Sequence, residues 1–290
     1  MGAGRILILG GYGMLGHRLW RRCRQDFDTW ATVRRLRSDI PAGGRTVIAG
    51  VEASQPDTLR RAFAEADPQF VVNCIGVIKQ REAAADPRES VQVNALFPHQ
   101  VAALCRQRGA KLIHLSTDCV FSGRQGYRSE ADTPNATDLY GRSKMLGEAG
   151  YGDCLTIRTS MIGRELGTKY GLAEWFLSQA GSKVNGFTNA FFSGLTTGAL
   201  ADAIVKIIRA HSDLNGVWHV AGPRISKYDL LCLLRDAFQT DTQIVPEPSL
   251  CIDRSLDGRR FERRTGWVSP SWRQMVADLA REQDTGAAQA

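Results

Sequence analysis

A phenol and an ammonium stand four residues apart in Tyr140-Gly-Arg-Ser-Lys144, downstream of a tract, Leu115-Ser-Thr-Asp-Cys-Val-Phe121, that sets two hydroxyls side by side. A helix over the downstream tract puts Tyr140 and Lys144 on one face. The upstream tract continues an apolar run from Lys111 to Leu115, a buried strand by length and composition. Ser116 and Thr117 then emerge at its carboxyl end. A strand-end hydroxyl facing a phenol and an ammonium is a proton-donating site. A free phenol titrates near ~10, and a fall of roughly three units suits it to neutral pH. The Lys144 ammonium is the neighbour expected to bring that fall.

Such a site needs a scaffold, and the chain alternates strands and helices ahead of it. Arg5 to Leu9 is a compact apolar strand, followed at once by Gly10-Gly-Tyr-Gly13-Met-Leu-Gly16 and a helix through Leu19, Trp20 and Cys23. The spacing Gly-x-x-Gly-x-x-Gly allows a tight turn, close approach of a pyrophosphate, and close helix–strand packing. The helix amino terminus then faces the phosphates. Gly10, Tyr12, Gly13, Met14, Leu15 and Gly16 are therefore cofactor-binding candidates. The second strand, Thr29 to Val33, ends in Arg34-Arg35 where an acidic residue would serve the ribose 2′-hydroxyl of NAD. Arginine suits a 2′-phosphate, which points to NADPH with NADH as the alternative. Solvation of a loop is the plainer account of the same two arginines.

Thr46 to Val51 reads as a third strand, Pro56 to Ala66 as a helix with an early proline, and Phe70 to Ile75 as a fourth strand. That strand ends Cys74-Ile75-Gly76, small enough to let a nicotinamide lie on the backbone. Asp86-Pro87 starts a long helix through Asn94 and Leu104 that stops at Gly109. Leu155 to Arg158 is a sixth strand. The rhythm predicts an α/β fold with a doubly wound parallel sheet, whose ligands lie at the carboxyl ends of the strands. Residues 1–162 form the dinucleotide-binding domain on this reading. Residues 163–290 are mainly a smaller α/β substrate-binding region, with 195–222 returning to the first domain. Lys183 to Ser193 reads as polar and aromatic chain with a few glycines. Ser226-Lys-Tyr-Asp229 has the form of a capping box ahead of a helix to Phe238. The tail from Asp284 is expected to fray.

Composition narrows the class. With 290 residues, 43% hydrophobic and 23% charged, the chain describes an ordinary globule with ample core. No apolar stretch reaches membrane-spanning length, and the first strand starts too early for a secretory signal. Ile6 spoils the myristoylation pattern begun by Met1-Gly2. Seven cysteines without a Cys-x-x-Cys indicate reduced thiols in a cytoplasmic protein. Five histidines show no metal spacing, so no metal is expected. The net charge of +7 falls in three basic groups without the aromatic interleaving that stacks bases, which speaks against nucleic acid.

Taken together, the glycines at 10, 13 and 16, Leu115-Ser-Thr-Asp-Cys-Val-Phe-Ser122, Tyr140-Gly-Arg-Ser-Lys-Met-Leu-Gly-Glu148 and Arg158-Thr-Ser160 resemble the extended short-chain dehydrogenase/reductases. Within them, the chain is most similar to the dTDP-4-dehydrorhamnose reductase group. The resemblance implies a catalytic set of Thr117, Tyr140 and Lys144. Cys74, Ile75, Gly76, Asn94, Ser116, Tyr140 and Lys144 would join the glycine turn and the two arginines in holding the cofactor. Lys79, Thr117, Asp118, Phe191 and Arg254 would meet a nucleoside-diphosphate sugar. Arg259 and Arg260 are further candidates for the diphosphate, Phe187, Asn189 and Phe192 for a base or sugar pocket, and Gln80 and Arg81 for the sugar's border. The implied reaction is hydride transfer to C4 of a 4-keto-6-deoxyhexose, and a homodimer is implied through the helices near Asp86 and Leu139. Sugar-nucleotide dehydratases carry a second acid or a lysine where this chain has Cys119. An epimerase retaining NAD, or a non-catalytic dinucleotide-binding regulatory subunit, are the alternatives.

Overall fold

The computed structural model describes residues 4–38, 46–79 and 86–282. Gln80 and Arg81, the Met1-Gly2 start and the tail from Asp284 lie outside the described residues.

Seven strands form one parallel sheet. Six are β1 (Arg5–Leu9), β2 (Asp28–Val33), β3 (Val47–Ala49), β4 (Phe70–Asn73), β5 (Lys111–Leu115) and β6 (Leu155–Arg158). The seventh, Gly216–His219, pairs with β6, so the order runs 216–219, β6, β5, β4, β1, β2, β3. Reversal of strand order at β1 and β4 leaves a crevice at their carboxyl ends, where open α/β sheets bind ligands. Both faces of the sheet are covered, and β1 shows how. Ile6 and Ile8 point into one core, with Leu15, Leu19 and Trp20 of α1 (Met14–Cys23) and Leu200 and Ile204 of the helix Thr197–Ala210. Leu7 and Leu9 point into the other, with Leu59 and Phe63 of α2 (Pro56–Ala66) and Val93, Phe97 and Val101 beyond it. All four strand residues are fully buried, as the two-residue alternation of a strand sandwiched by helices demands.

The long helix expected from Asp86 is three pieces: α3 (Pro87–Ser90), a π-helical turn over Val91–Leu96, and α4 (Phe97–Arg108). Pro98 has no N–H to offer the Asn94 carbonyl, and the Asn94 side chain is tied elsewhere, so the ladder widens there. The third strand is shorter than expected, and the fourth ends at Asn73.

Residues 183–192, which carry no strand signal in sequence, hold two. Lys183–Phe187 pairs with Gln243–Glu247, and Ala190–Phe192 is the middle of a small sheet between Ile225–Ser226 and Ile252–Asp253. These short strands are defined by their partners rather than by their own alternation. Among the described residues no helix is long and apolar enough to cross a membrane.

Candidate active site

Gly10 adopts φ +88° and Gly16 sits so close that a β-carbon there would overlap the Gly10 carbonyl oxygen. The turn is held by Gly11 N–H donating to the Thr32 carbonyl at 2.8 Å and Gly13 N–H donating to that of Gly10 at 3.0 Å. It delivers the chain to the start of α1, which has no side-chain cap and no acidic residue in its first turn. Free N–H groups and the positive end of the helix dipole are therefore open to an anion. Tyr12 adds a buried hydroxyl that has no partner among the described residues. Side chains at Gly10 would meet Ile75 and Cys74, so the turn and the end of β4 adjoin. Gly76 is exposed, and a β-carbon there would stand 3.3 Å from Asn94 Oδ1 and 3.9 Å from Lys144 Nζ. The glycine turn, the uncapped start of α1, Gly76 and Lys144 gather at the carboxyl ends of β1, β4 and β5, and these residues fit a dinucleotide.

Helix α5 (Leu139–Leu146) carries Tyr140 and Lys144 and is clamped at both ends. Gly141 lies against the Cys119 carbonyl and Gly147 against that of Asn94, and a β-carbon at either would overlap the oxygen. Asp138 caps the helix by accepting from Gly141 N–H at 2.8 Å, a device worth ~1 kcal/mol. Its other oxygen accepts from Lys79 Nζ at 3.0 Å, so Lys79 is ion-paired at the rim.

The Lys144 ammonium is 5% exposed and donates to the Leu115 carbonyl at 2.6 Å. Burial brings it down to about 8, with Glu148 and Cys74 acting against that fall. Thr117 starts a short 3₁₀ turn, accepts from Cys119 N–H at 3.1 Å and donates to Asp118 Oδ1 at 3.1 Å. The Thr117 hydroxyl also acts on the Tyr140 phenol, in the direction that lowers it. Contrary to the sequence-based expectation, the phenol titrates above its ordinary value. Burial is the main cause, and the nearby Cys119, Asp118 and Asp138 act in the same direction. Lys144 is committed to Leu115, leaving the acidic neighbours to set the phenol's field. A phenol that holds its proton through neutral pH is suited to donate it.

Ser116 and Asn94 are built into the frame. The Ser116 hydroxyl donates to Glu148 Oε1 at 2.8 Å. Glu148 in turn accepts Arg158 Nε and a terminal nitrogen, both at 2.7 Å, in a pair 8% and 5% exposed. Asn94 accepts from Val77 N–H at 2.9 Å, donates back to the Val77 carbonyl at 3.0 Å, and is 1% exposed. Its side chain shapes the loop carrying Gly76. Cys74 has its thiol pushed up to about 12 by burial, although Lys144 pulls it the other way.

Arg34 and Arg35 stand exposed at the end of β2, and among the described residues neither side chain has a partner. On the substrate side, buried Asp118 has its carboxyl raised by desolvation, while Arg254 and Lys227 pull it down. Arg254 donates to the Phe121 carbonyl at 3.3 Å, just after the Thr117 turn. Phe191 has its ring covered by Arg224 at 3.4 Å, and Phe192 is core, packed on Trp272. Arg259 is spent on Asp257, and Arg260 lies over Trp218 at 3.7 Å. Neither is drawn into the site. Lys227 escapes the sequence reading because it sits inside a tract whose only local signal is a helix cap.

A glycine turn at an uncapped helix start, with a protonated phenol on a helix fastened to the neighbouring strand end, is the working part of an oxidoreductase, here of the extended short-chain dehydrogenase/reductase type. The chain belongs to the RmlD substrate binding domain family, matched over residues 4–284. It is 28% identical over 295 residues to the dTDP-4-keto-6-deoxy-D-glucose reductase of Streptomyces niveus, covering 99% of this chain and 96% of that one. It is also 28% identical over 305 residues to the dTDP-4-dehydrorhamnose reductase of Mycolicibacterium smegmatis, covering 95% and 85%. The dTDP-4-dehydrorhamnose reductase of Bacillus anthracis, solved with NADP, has the same fold, with a TM-score of 0.82 at 20% identity over 97% of this chain and 100% of that one.

Proposed function

We propose that this chain is an NADPH-dependent reductase of a nucleoside-diphosphate 4-keto-6-deoxyhexose. The observation that carries the reading is the Lys144 Nζ bond to the Leu115 carbonyl at 2.6 Å, which holds the helix of Tyr140 and Lys144 against the strand end that leads into Thr117, with Gly76 alongside. The glycine turn and α1 hold the pyrophosphate, Arg34 and Arg35 favour a 2′-phosphate, and Lys144 and Gly76 border the nicotinamide end. When bound, the cofactor supplies a hydride. Thr117 and Tyr140 both address the substrate's carbonyl oxygen, and Tyr140 releases its proton as negative charge grows there. Asp118 and Arg254 contact the sugar nucleotide. Residues 1–162 together with 195–222 serve the dinucleotide, and the remainder of 163–290 serves the substrate. Membership of the strand Gly216–His219 in the main sheet supports that division. Exposed Val91, Leu96 and Leu146 on neighbouring helices support a homodimer through that face.

The test is a screen of dTDP- and UDP-linked 4-keto-6-deoxy sugars for NADPH consumption, with product stereochemistry read by NMR. Turnover with at least one is expected. Protein that purifies with stoichiometric NAD and interconverts sugars without consuming NADPH would overturn the reading in favour of an epimerase.

A further inference from the structure

Between the strand Met161–Ile162, just beyond the carboxyl end of β6, and the helix Leu172–Leu177 runs a loop, residues 164–171, with no helix or strand of its own. Side chains give it a shape. The Glu165 carboxylate gathers three donors from farther along the loop: Thr168 Oγ1 at 2.7 Å, and the N–H groups of Tyr170 and Gly171, both at 2.9 Å. Glu174 ties the near end by accepting Arg164 Nε at 2.5 Å and Glu165 N–H at 3.2 Å. Local bonds of this kind hold a backbone that no ladder supports.

That shape brings the loop to the cofactor side of the sheet at two places. A β-carbon on Gly171 would stand 3.4 Å from Met14 Sδ, so the far end lies against the first residue of α1, where the uncapped helix start receives an anion. At the tip, the Leu166 carbonyl accepts Arg37 Nη1 at 2.6 Å, and a β-carbon on Gly167 would come within 2.8 Å of Arg37 Nη2. Gly167 adopts φ +77°, which glycine takes without strain, and its missing side chain leaves the guanidinium its place. Arg37 follows Arg34 and Arg35 on the segment after β2, yet it is half-buried where they are exposed, and its Nη1 is spent on the loop.

The start of α1 and the segment beyond β2 are the places that take the diphosphate and the adenosine end of a dinucleotide in a sheet of this kind. Resting on the dinucleotide reading of the site, we infer that residues 164–171 are a strap across the bound cofactor, with the bond from Arg37 to the Leu166 carbonyl as its latch. The dinucleotide enters and leaves when that bond opens. A charge-assisted bond to one carbonyl is strong enough to slow exchange and weak enough to break at each turnover. Arg34 and Arg35 then choose the dinucleotide, whereas Arg37 sets how long it stays.

The experiment follows release of NADPH and of NADH from the full chain by stopped-flow fluorescence, for wild type, Arg37→Ala, Arg37→Lys and Thr168→Val. Beside it runs trypsin cleavage after Lys169, which is exposed on the strap. Arg37→Ala should speed release of both dinucleotides by the same factor, about tenfold, and lysine should recover part of the loss. Thr168→Val loosens the loop without altering charge and should speed release in the same direction. Saturating NADPH should slow cleavage after Lys169 in wild type, and without cofactor Arg37→Ala should be cleaved there faster than wild type. An effect of Arg37→Ala confined to NADPH would make Arg37 a 2′-phosphate contact and overturn the latch. Unchanged release rates, or cleavage indifferent to NADPH, overturn the strap and leave the cofactor reading standing. Failure of wild type to bind either dinucleotide overturns that reading and the strap with it.

Discussion

Lys144 Nζ donates to the main-chain oxygen of Leu115 at 2.6 Å, which fastens the middle of α5 to the last residue of β5. The phenol on α5 and the hydroxyl after β5 are thereby brought to one point before any ligand arrives. The bond also gives the ammonium a fixed place from which it borders Gly76.

Burial lowers Lys144 to about 8, below its value in an unfolded chain. The folded protein therefore loses this proton first as pH rises. Below about 8 the buried ammonium costs stability, and the cost fades as pH climbs from there to the unfolded value. Function on the proposed reading runs the other way, since an ammonium that serves the nicotinamide ribose must keep its proton. Initial-rate profiles should show kcat/KM for reduction descending above about pH 8. A descending limb that persists unshifted in Lys144→Arg would assign it to another group.

Tyr140 titrates above its ordinary value, so it stays protonated across the neutral range. Reduction should carry no ionisation of Tyr140 there, whereas the reverse oxidation, which needs the phenolate, should accelerate as pH rises. Tyr140→Phe should lose on the order of 10²–10⁴ in kcat of reduction, with NADPH affinity unchanged by fluorescence titration. Near-normal turnover in that variant would refute the proton-donor role.

Glu148 and Arg158 form a two-point ion pair almost wholly removed from water, and Glu148 also accepts Ser116. Glu148→Gln leaves a buried guanidinium without its charge partner. The expected loss is about 3–5 kcal/mol, read from urea unfolding. Because Glu148 holds the Lys144 ammonium up, the same variant should move the descending limb of the rate profile to lower pH. A merely structural role would leave that limb in place.

Arg34 and Arg35 are exposed and without partners among the described residues at the end of β2. Replacing both with alanine should lower the preference for NADPH over NADH by about tenfold or more, as a ratio of kcat/KM values. Equal losses with the two cofactors would mean the arginines serve the chain, not the 2′-phosphate.

Much of the frame is readable along the chain because its signals are local. The glycines at 10, 13 and 16 announce a turn whose close contact with α1 admits no β-carbon, and the apolar runs of β1, β4 and β5 are long enough to name themselves. The widened turn at Val91–Leu96 is less visible. Its cause is Pro98 acting with an Asn94 side chain that reaches a loop seventeen positions back. Strands of two or three residues, such as Ile225–Ser226, exist only because a neighbour pairs with them.

From sequence alone come the doubly wound sheet, the dinucleotide turn and the pairing of Tyr140 with Lys144, which depend on strand–helix alternation or on local spacing, while Thr117 joins that pair through the family resemblance. Tertiary structure alone decides what those groups feel. It turns Ser116 toward Glu148 and raises the phenol where an ammonium was expected to lower it. Charge and burial act through space, and which side chains share a dry corner is fixed by how the sheet and its helices close, not by their order in the chain.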